Sequence, residues 1–135
     1  MSVSVQWSGL DAFLKDLHAI PRDLQRDGFA IVREETEGAA AEIAQHYPKK
    51  TGALQRRVKT QFPSSTILIG LVISGAPHAQ FYEFGTKKRT NAAGANRGAM
   101  PATPVTVPIA RQRRARMSRR LVDLLRHNGF EVGDA

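Results

Sequence analysis

The chain has 135 residues and a net charge of +8, with 41% hydrophobic and 24% charged residues, the balance of one globular domain, with arms at most. It has no cysteine, which excludes disulfides, thiolate metal sites and cysteine nucleophiles together. Its longest apolar run, residues 67–73, is far short of the roughly 20 needed to cross a bilayer, and the N-terminus does not read as a secretory signal.

Charge is unevenly placed. Residues 1–48 carry four bases and eight acids, whereas residues 49–135 carry sixteen bases and four acids. Such polarity suits a basic surface facing a polyanion, or acidic faces packing on basic ones between copies of the chain. Solvated helix faces would produce the same totals.

In chain order, Val3, Val5 and Trp7 alternate with polar residues and predict a short strand. Ser8 can cap a helix carrying Leu10, Phe13, Leu14, Leu17 and Ile20, which Pro21 interrupts. A longer helix is expected over 23–46, with Phe29, Val32, Thr36, Ala39, Ala40 and Ile43 facing inward. Within it, residues 38–41 (Gly-Ala-Ala-Ala) leave room for another element to approach closely, and Pro48 ends it. Val58, Thr60 and Phe62 alternate with Lys59 and Gln61, predicting a strand with one wet face. After a turn at 63–65, residues 66–74 are apolar on both faces and predict a strand central in its sheet.

A single helical turn stopped by Gly85 is expected over 79–84. Residues 86–100, basic and rich in Gly, Ala and Asn, predict a mobile loop. Thr103, Val105 and Val107 alternate between prolines 101, 104 and 108, as an edge strand would. The last helix is expected over 109–127, with Pro108 at its start and Asn128-Gly129 at its end. Its inward stripe would be Ala110, Met117, Leu121, Leu124 and Leu125. The predicted fold class is α+β: a small, mainly antiparallel sheet packed against a long helix, with a C-terminal helix.

The four histidines, His18, His46, His78 and His127, have no metal-ligand spacing. His78 and Glu83 could meet across a turn as an acid/base pair, but nothing near them reads as a nucleophile. Glu34, Glu35 and Glu37 are neighbours on a helix and point in different directions, so a solvated acidic face is expected there. No phosphate-binding loop, dinucleotide fingerprint or nucleophile elbow occurs. The sequence argues against an enzyme, with no catalytic, cofactor or metal residue to assign. The last helix carries Arg111, Arg113, Arg114, Arg116, Arg119, Arg120 and Arg126 against one acid, Asp123. Gln112 is its sole base-reading type, so only nonspecific contact with a polyanion, or pairing with an acidic protein face, fits it.

Two short motifs carry more weight. Pro48, Thr51, Gly52 and Leu54 form P-x-x-T-G-x-L, and Ala79, Glu83, Phe84, Gly85 and Thr86 form an aromatic turn ending E-F-G-T. Each can be a well-anchored turn. With Pro104 and Pro108 following in order, the set resembles the gene-product-ten-like family of neck proteins of long-tailed bacteriophages, the tail-completion or head–tail joining components. The resemblance runs from Leu10 to about Leu125. It departs at His78-Ala79, where the family usually has Tyr-Ala, and at Val105, where an aromatic is usual.

The resemblance implies a non-enzymatic virion subunit without cofactors, assembled as a ring, a hexamer, in the neck. Its implied partners are itself, head-closure (stopper) proteins and tail-terminator or tail-tube proteins, with DNA in the channel and no membrane. Interface candidates are Arg111, Arg113, Arg116, Arg119 and Arg120 on the last helix and Lys87, Lys88 and Arg89 in the loop. The acidic stretch 34–42 of a neighbouring copy is one expected target. The alternative is a nonspecific nucleic-acid-binding module using the arginine-rich helix; a small hydrolase using His78 and Glu83 ranks last.

Overall fold

A computed structural model describes residues 21–64 and 68–133. The elements in order are α1 (Arg22–His46), α2 (Ala53–Arg56), β1 (Val58–Gln61), β2 (Leu71–Ser74), α3 (Ala79–Phe84) and α4 (Thr106–His127). The fold is α+β and mostly helical, with one two-stranded antiparallel sheet. The strand expected at Val3, Val5 and Trp7 and the helix expected from Leu10 to Ile20 lie outside the described residues.

α1 is the spine, 25 residues or about 37 Å long. Its buried line of Leu24, Gly28, Val32, Glu35, Thr36, Ala39 and Ile43 differs from the expected stripe, since Phe29 and Ala40 are half-buried and a glutamate is inside. Phe29 instead meets Phe62 edge-on, with ring centroids 5.9 Å apart, and Arg33 lies 5.4 and 5.3 Å from the two rings. The core gathers Ala39, Ile43 and Tyr47 with Val105 and Ile109 from the start of α4. Leu54, Val58, Val72 and Tyr82 close around it, and Tyr82 meets the Tyr47 ring edge-on at 5.7 Å.

β1 pairs with β2 in the register Val58↔Ser74 to Gln61↔Leu71. Val58 and Thr60 turn inward while Lys59 and Gln61 are wet, as the alternation predicts. The second strand differs from expectation. Residues 68–70 are not in a strand, and β2 is an edge with Leu71 and Ile73 exposed, because no third strand joins the sheet among the described residues. Gly70 presses its backbone onto α1, where any Cβ would run into the Thr36 side chain.

One further expectation changes. The edge strand around Thr103, Val105 and Val107 is absent; α4 already begins at Thr106, so Pro108 falls inside its first turn, where a missing N–H costs nothing. The segment 86–100, expected as a mobile loop, lies outside the named helices and strands and forms an arm closed by backbone pairing. Thr86 N–H bonds to Met100 O at 2.9 Å, Arg89 N–H to Gly98 O at 3.1 Å and Arg97 N–H to Arg89 O at 2.7 Å, with a bridge between Thr90 and Asn96. α4 ends as expected, with Asn128 Nδ2 bonding to Leu124 O and Gly129 at φ 83°.

Ile43 is 0% exposed at the centre of the core. Ile43→Ala should lower unfolding free energy by about 2–5 kcal/mol in urea titration, through lost burial and a residual cavity.

Candidate functional site

The first motif builds the turn after α1. Tyr47 accepts the end of α1, its N–H bonding to Ile43 O at 3.1 Å, and Pro48 prevents continuation. Gly52 adopts φ 67°, which glycine takes without strain, and opens α2. The Thr51 hydroxyl accepts a long bond from Ala53 N–H at 3.4 Å, and Leu54 packs against the core. These residues shape a turn.

The second motif holds the structure's most heavily bonded side chain. Glu83 is 8% exposed, and its carboxylate reaches the start of α4. Val105 N–H donates to Oε2 at 2.8 Å, Thr106 N–H to Oε1 at 3.0 Å, and the Thr106 hydroxyl to Oε1 at 2.6 Å. The Tyr47 hydroxyl donates to the same Oε1 at 2.9 Å and lies 3.1 Å from Ser74 Oγ. Val105 has no side chain able to cap a helix, so Glu83 caps α4 from 22 residues away, its charge facing the positive helix end. Burial opposes ionisation of Glu83. The donors from Thr106, Val105 and Tyr47 outweigh it and hold the carboxyl below a glutamate's ordinary 4.5. Burial, aided by the neighbouring carboxylate, pushes the Tyr47 hydroxyl above its ordinary 10.0.

His78 is not part of this cluster. It sits exposed at the N-terminal boundary of α3, and none of the Glu83 bonds involves it. The acid/base pair raised by the spacing is therefore not assembled. Gly85 follows at φ 72° against the end of the arm, where a Cβ would lie 2.6 Å from Met100 O and 2.8 Å from Ala102 N. Thr86 anchors the other side, its hydroxyl accepting Met100 N–H at 3.0 Å. Phe84 points outward, 72% exposed.

The arginine helix divides into two sets. Arg113 and Arg120 turn toward α1 of their own chain. Arg113 Nε donates to Glu42 at 3.0 Å and Nη1 to Glu35 at 3.3 Å, while Arg120 donates to Glu35 at 2.8 Å and to Glu34 at 2.7 Å. Glu35 is 5% exposed, so the expectation of a purely solvated acidic face is corrected. Burial opposes its charge, but Arg120 and Arg113 outweigh that and hold its carboxyl below 4.5. Gly38 makes room for the crossing, since a Cβ there would lie 2.7 Å from Arg113 Nη1. As expected, the small-residue stretch lets another element approach closely: α4 packs on α1 there, with Ala39 against Val105 and Ile109 in the core.

Among the interface candidates, Arg113 and Arg120 thus bond to the acidic stretch of their own chain, the stretch expected as a target on a neighbouring copy. Arg111, Arg116 and Arg119 are exposed and make no ion pair among the described residues. Lys87, Lys88 and Arg89 are exposed along the arm. Between α1 and α4 runs a groove of about 540 Å³ that Arg116 and Arg119 line. Sequence reasoning missed Tyr47 and Thr106; the one signal was their placement, Tyr47 directly before Pro48 and Thr106 between Pro104 and Pro108. Among the described residues no three His, Asp or Glu side chains gather as metal ligands. No protein-family model, curated protein or solved structure matches the chain.

Two measurements check this assignment. Both carboxyls are depressed in the folded protein, so their stabilisation is full above the ordinary glutamate value and is lost as pH falls through the lower folded values. Glu83→Gln should therefore reduce unfolding free energy near neutral pH and flatten its acid decline, while the part due to Glu35 remains. The double variant Arg113→Glu/Arg120→Glu should lose about 2–4 kcal/mol, less than a fully buried pair because both guanidiniums are partly in water. Arg116→Glu/Arg119→Glu should melt like wild type.

Proposed function

We propose that the chain is a structural subunit of a phage-type head–tail junction, a tail-completion or neck component that acts through its interfaces and assembles as a ring. The observation that carries this reading is that Glu83 of the second motif binds residues beside the first and third: Tyr47, directly before Pro48, and Thr106, between Pro104 and Pro108. The segments that carry the three motifs, some sixty residues of sequence, thus meet at one junction. The Glu83 carboxylate, the one acid among these motif residues, is fully engaged in capping and bonding.

The surface fits a role in contacts. Phe81 and Phe84 are exposed on α3, and Lys87, Lys88 and Arg89 follow on the arm. In this reading the subunit is part of the virion neck, meeting head-closure (stopper) proteins on one side and tail-terminator or tail-tube proteins on the other. Nonspecific nucleic-acid binding is the second reading, and the exposed Arg111, Arg114, Arg116 and Arg119 favour it.

Deleting the gene from the element that carries it should give filled heads and free tails that fail to join, with joining restored by a supplied copy. Intact virions after deletion would remove the neck reading. Tight, steeply salt-dependent DNA binding by the isolated chain, combined with intact virions, would establish the second reading.

A further inference from the structure

We propose that the groove between α1 and α4 is a docking site for an acidic segment of another protein. The inference goes beyond the neck reading and does not depend on it.

The groove has a low floor at Ala41, and the Arg113 guanidinium, lying over Gly38, bounds it. Gln112, Arg116 and Arg119 recur on α4 at positions four and three apart, so they share one face and form one wall. Glu42, Gln45 and His46 of α1 form the other. The Glu42 charge is already met by Arg113 Nε. Arg116 and Arg119 remain as two guanidiniums one turn apart, without an ion pair among the described residues, beside a concavity of ligand size. Guanidinium pairs bidentately with carboxylate, and the two glutamine amides can meet a peptide's N–H and C=O groups from opposite walls.

A second copy of this chain is a poor occupant. Half of its twelve acids are held at home: Asp23 and Asp27 by Arg26, Glu34, Glu35 and Glu42 by Arg113 and Arg120, and Glu83 by neutral donors. The others, Asp11, Asp16, Glu37, Asp123, Glu131 and Asp134, are nowhere adjacent in the sequence and form no acidic run. A nucleic-acid backbone fits less well than a peptide. The unpaired cations of α4 fan around the helix instead of sharing a face: Arg114 lines a separate cleft with Leu68 and Met117, on the side away from Arg116 and Arg119. A duplex would meet few of them at once, and the groove wall also carries a carboxylate.

The test is fluorescence anisotropy of the full chain with a fluorescein-labelled octapeptide of alternating Asp and Glu, at physiological ionic strength so that distant charges are screened. Wild type should bind it and not the matching Asn/Gln peptide. Arg116→Ala/Arg119→Ala should weaken binding about tenfold or more, with the melting temperature unchanged. Ala41→Trp, which fills the floor and leaves every charge in place, should weaken it similarly. Arg111→Ala/Arg114→Ala should leave it unchanged. The inference is overturned if wild type does not bind the acidic peptide, or if the Arg111/Arg114 variant loses as much as the groove variant. It is equally overturned if labelled single-stranded DNA of equal charge binds more tightly and depends on the same two arginines. Because the readout is binding by the isolated chain, failure here leaves the gene-deletion result untouched, and failure there leaves this one standing.

Discussion

The carboxylate of Glu83 fixes where the second long helix begins. α4 starts at Val105–Thr106 with two N–H groups that no neighbouring side chain satisfies, and a valine cannot cap them. Glu83 accepts both and adds the Thr106 hydroxyl and the Tyr47 hydroxyl, so one side chain joins α3, the end of α1 and the start of α4. Through Ser74, Tyr47 extends the contact to β2. Charge-assisted bonds of this kind are stronger than neutral ones, and an unmet charge at this depth would be costly. The donors arrive from the end of α1 and the start of α4 and the acceptor sits on α3, so the bonds form only when all three are in place.

Once α4 is anchored at that end, the rest of its length decides which arginines are structural. Arg113 and Arg120 lie seven residues apart, two turns along the same face, and both reach Glu35. The chain's acidic first half and basic second half are therefore joined in part by folding on themselves. Arg113 and Arg120 neutralise Glu34, Glu35 and Glu42 within the chain, and the outward charge is the basic remainder.

The helices were legible because their signals are local. Pro48, Gly85 and Asn128-Gly129 mark ends that depend on backbone constraint alone, and the structure ends its helices there. The 58–61 strand was legible from alternation for the same reason. Glu83 was not, because its role depends on N–H groups more than twenty residues ahead, and a glutamate in an aromatic turn carries no mark of burial. Glu35 was hidden likewise, its partners lying 78 and 85 residues away. Thr103, Val105 and Val107 alternate like a strand, yet Val105 is buried as the residue before a helix whose cap comes from elsewhere. Arg116 and Arg119 stay exposed, but nothing in the spacing separates them from Arg113 and Arg120 without knowing which face of α4 meets α1.

The arm at residues 86–100 leaves and rejoins the fold at almost one point. Thr86 and Met100 are bonded to each other twice, and Gly85 lies directly against the returning chain. An excursion closed at its own base transmits little of its length to what lies beneath. Residues added at its tip, near Gly94, would cost only loop-closure entropy, about 0.6 kcal/mol for each doubling of the loop. The arm is therefore where this fold can change size at least expense to its core. Two chains with the same Glu83 junction can differ greatly in reach.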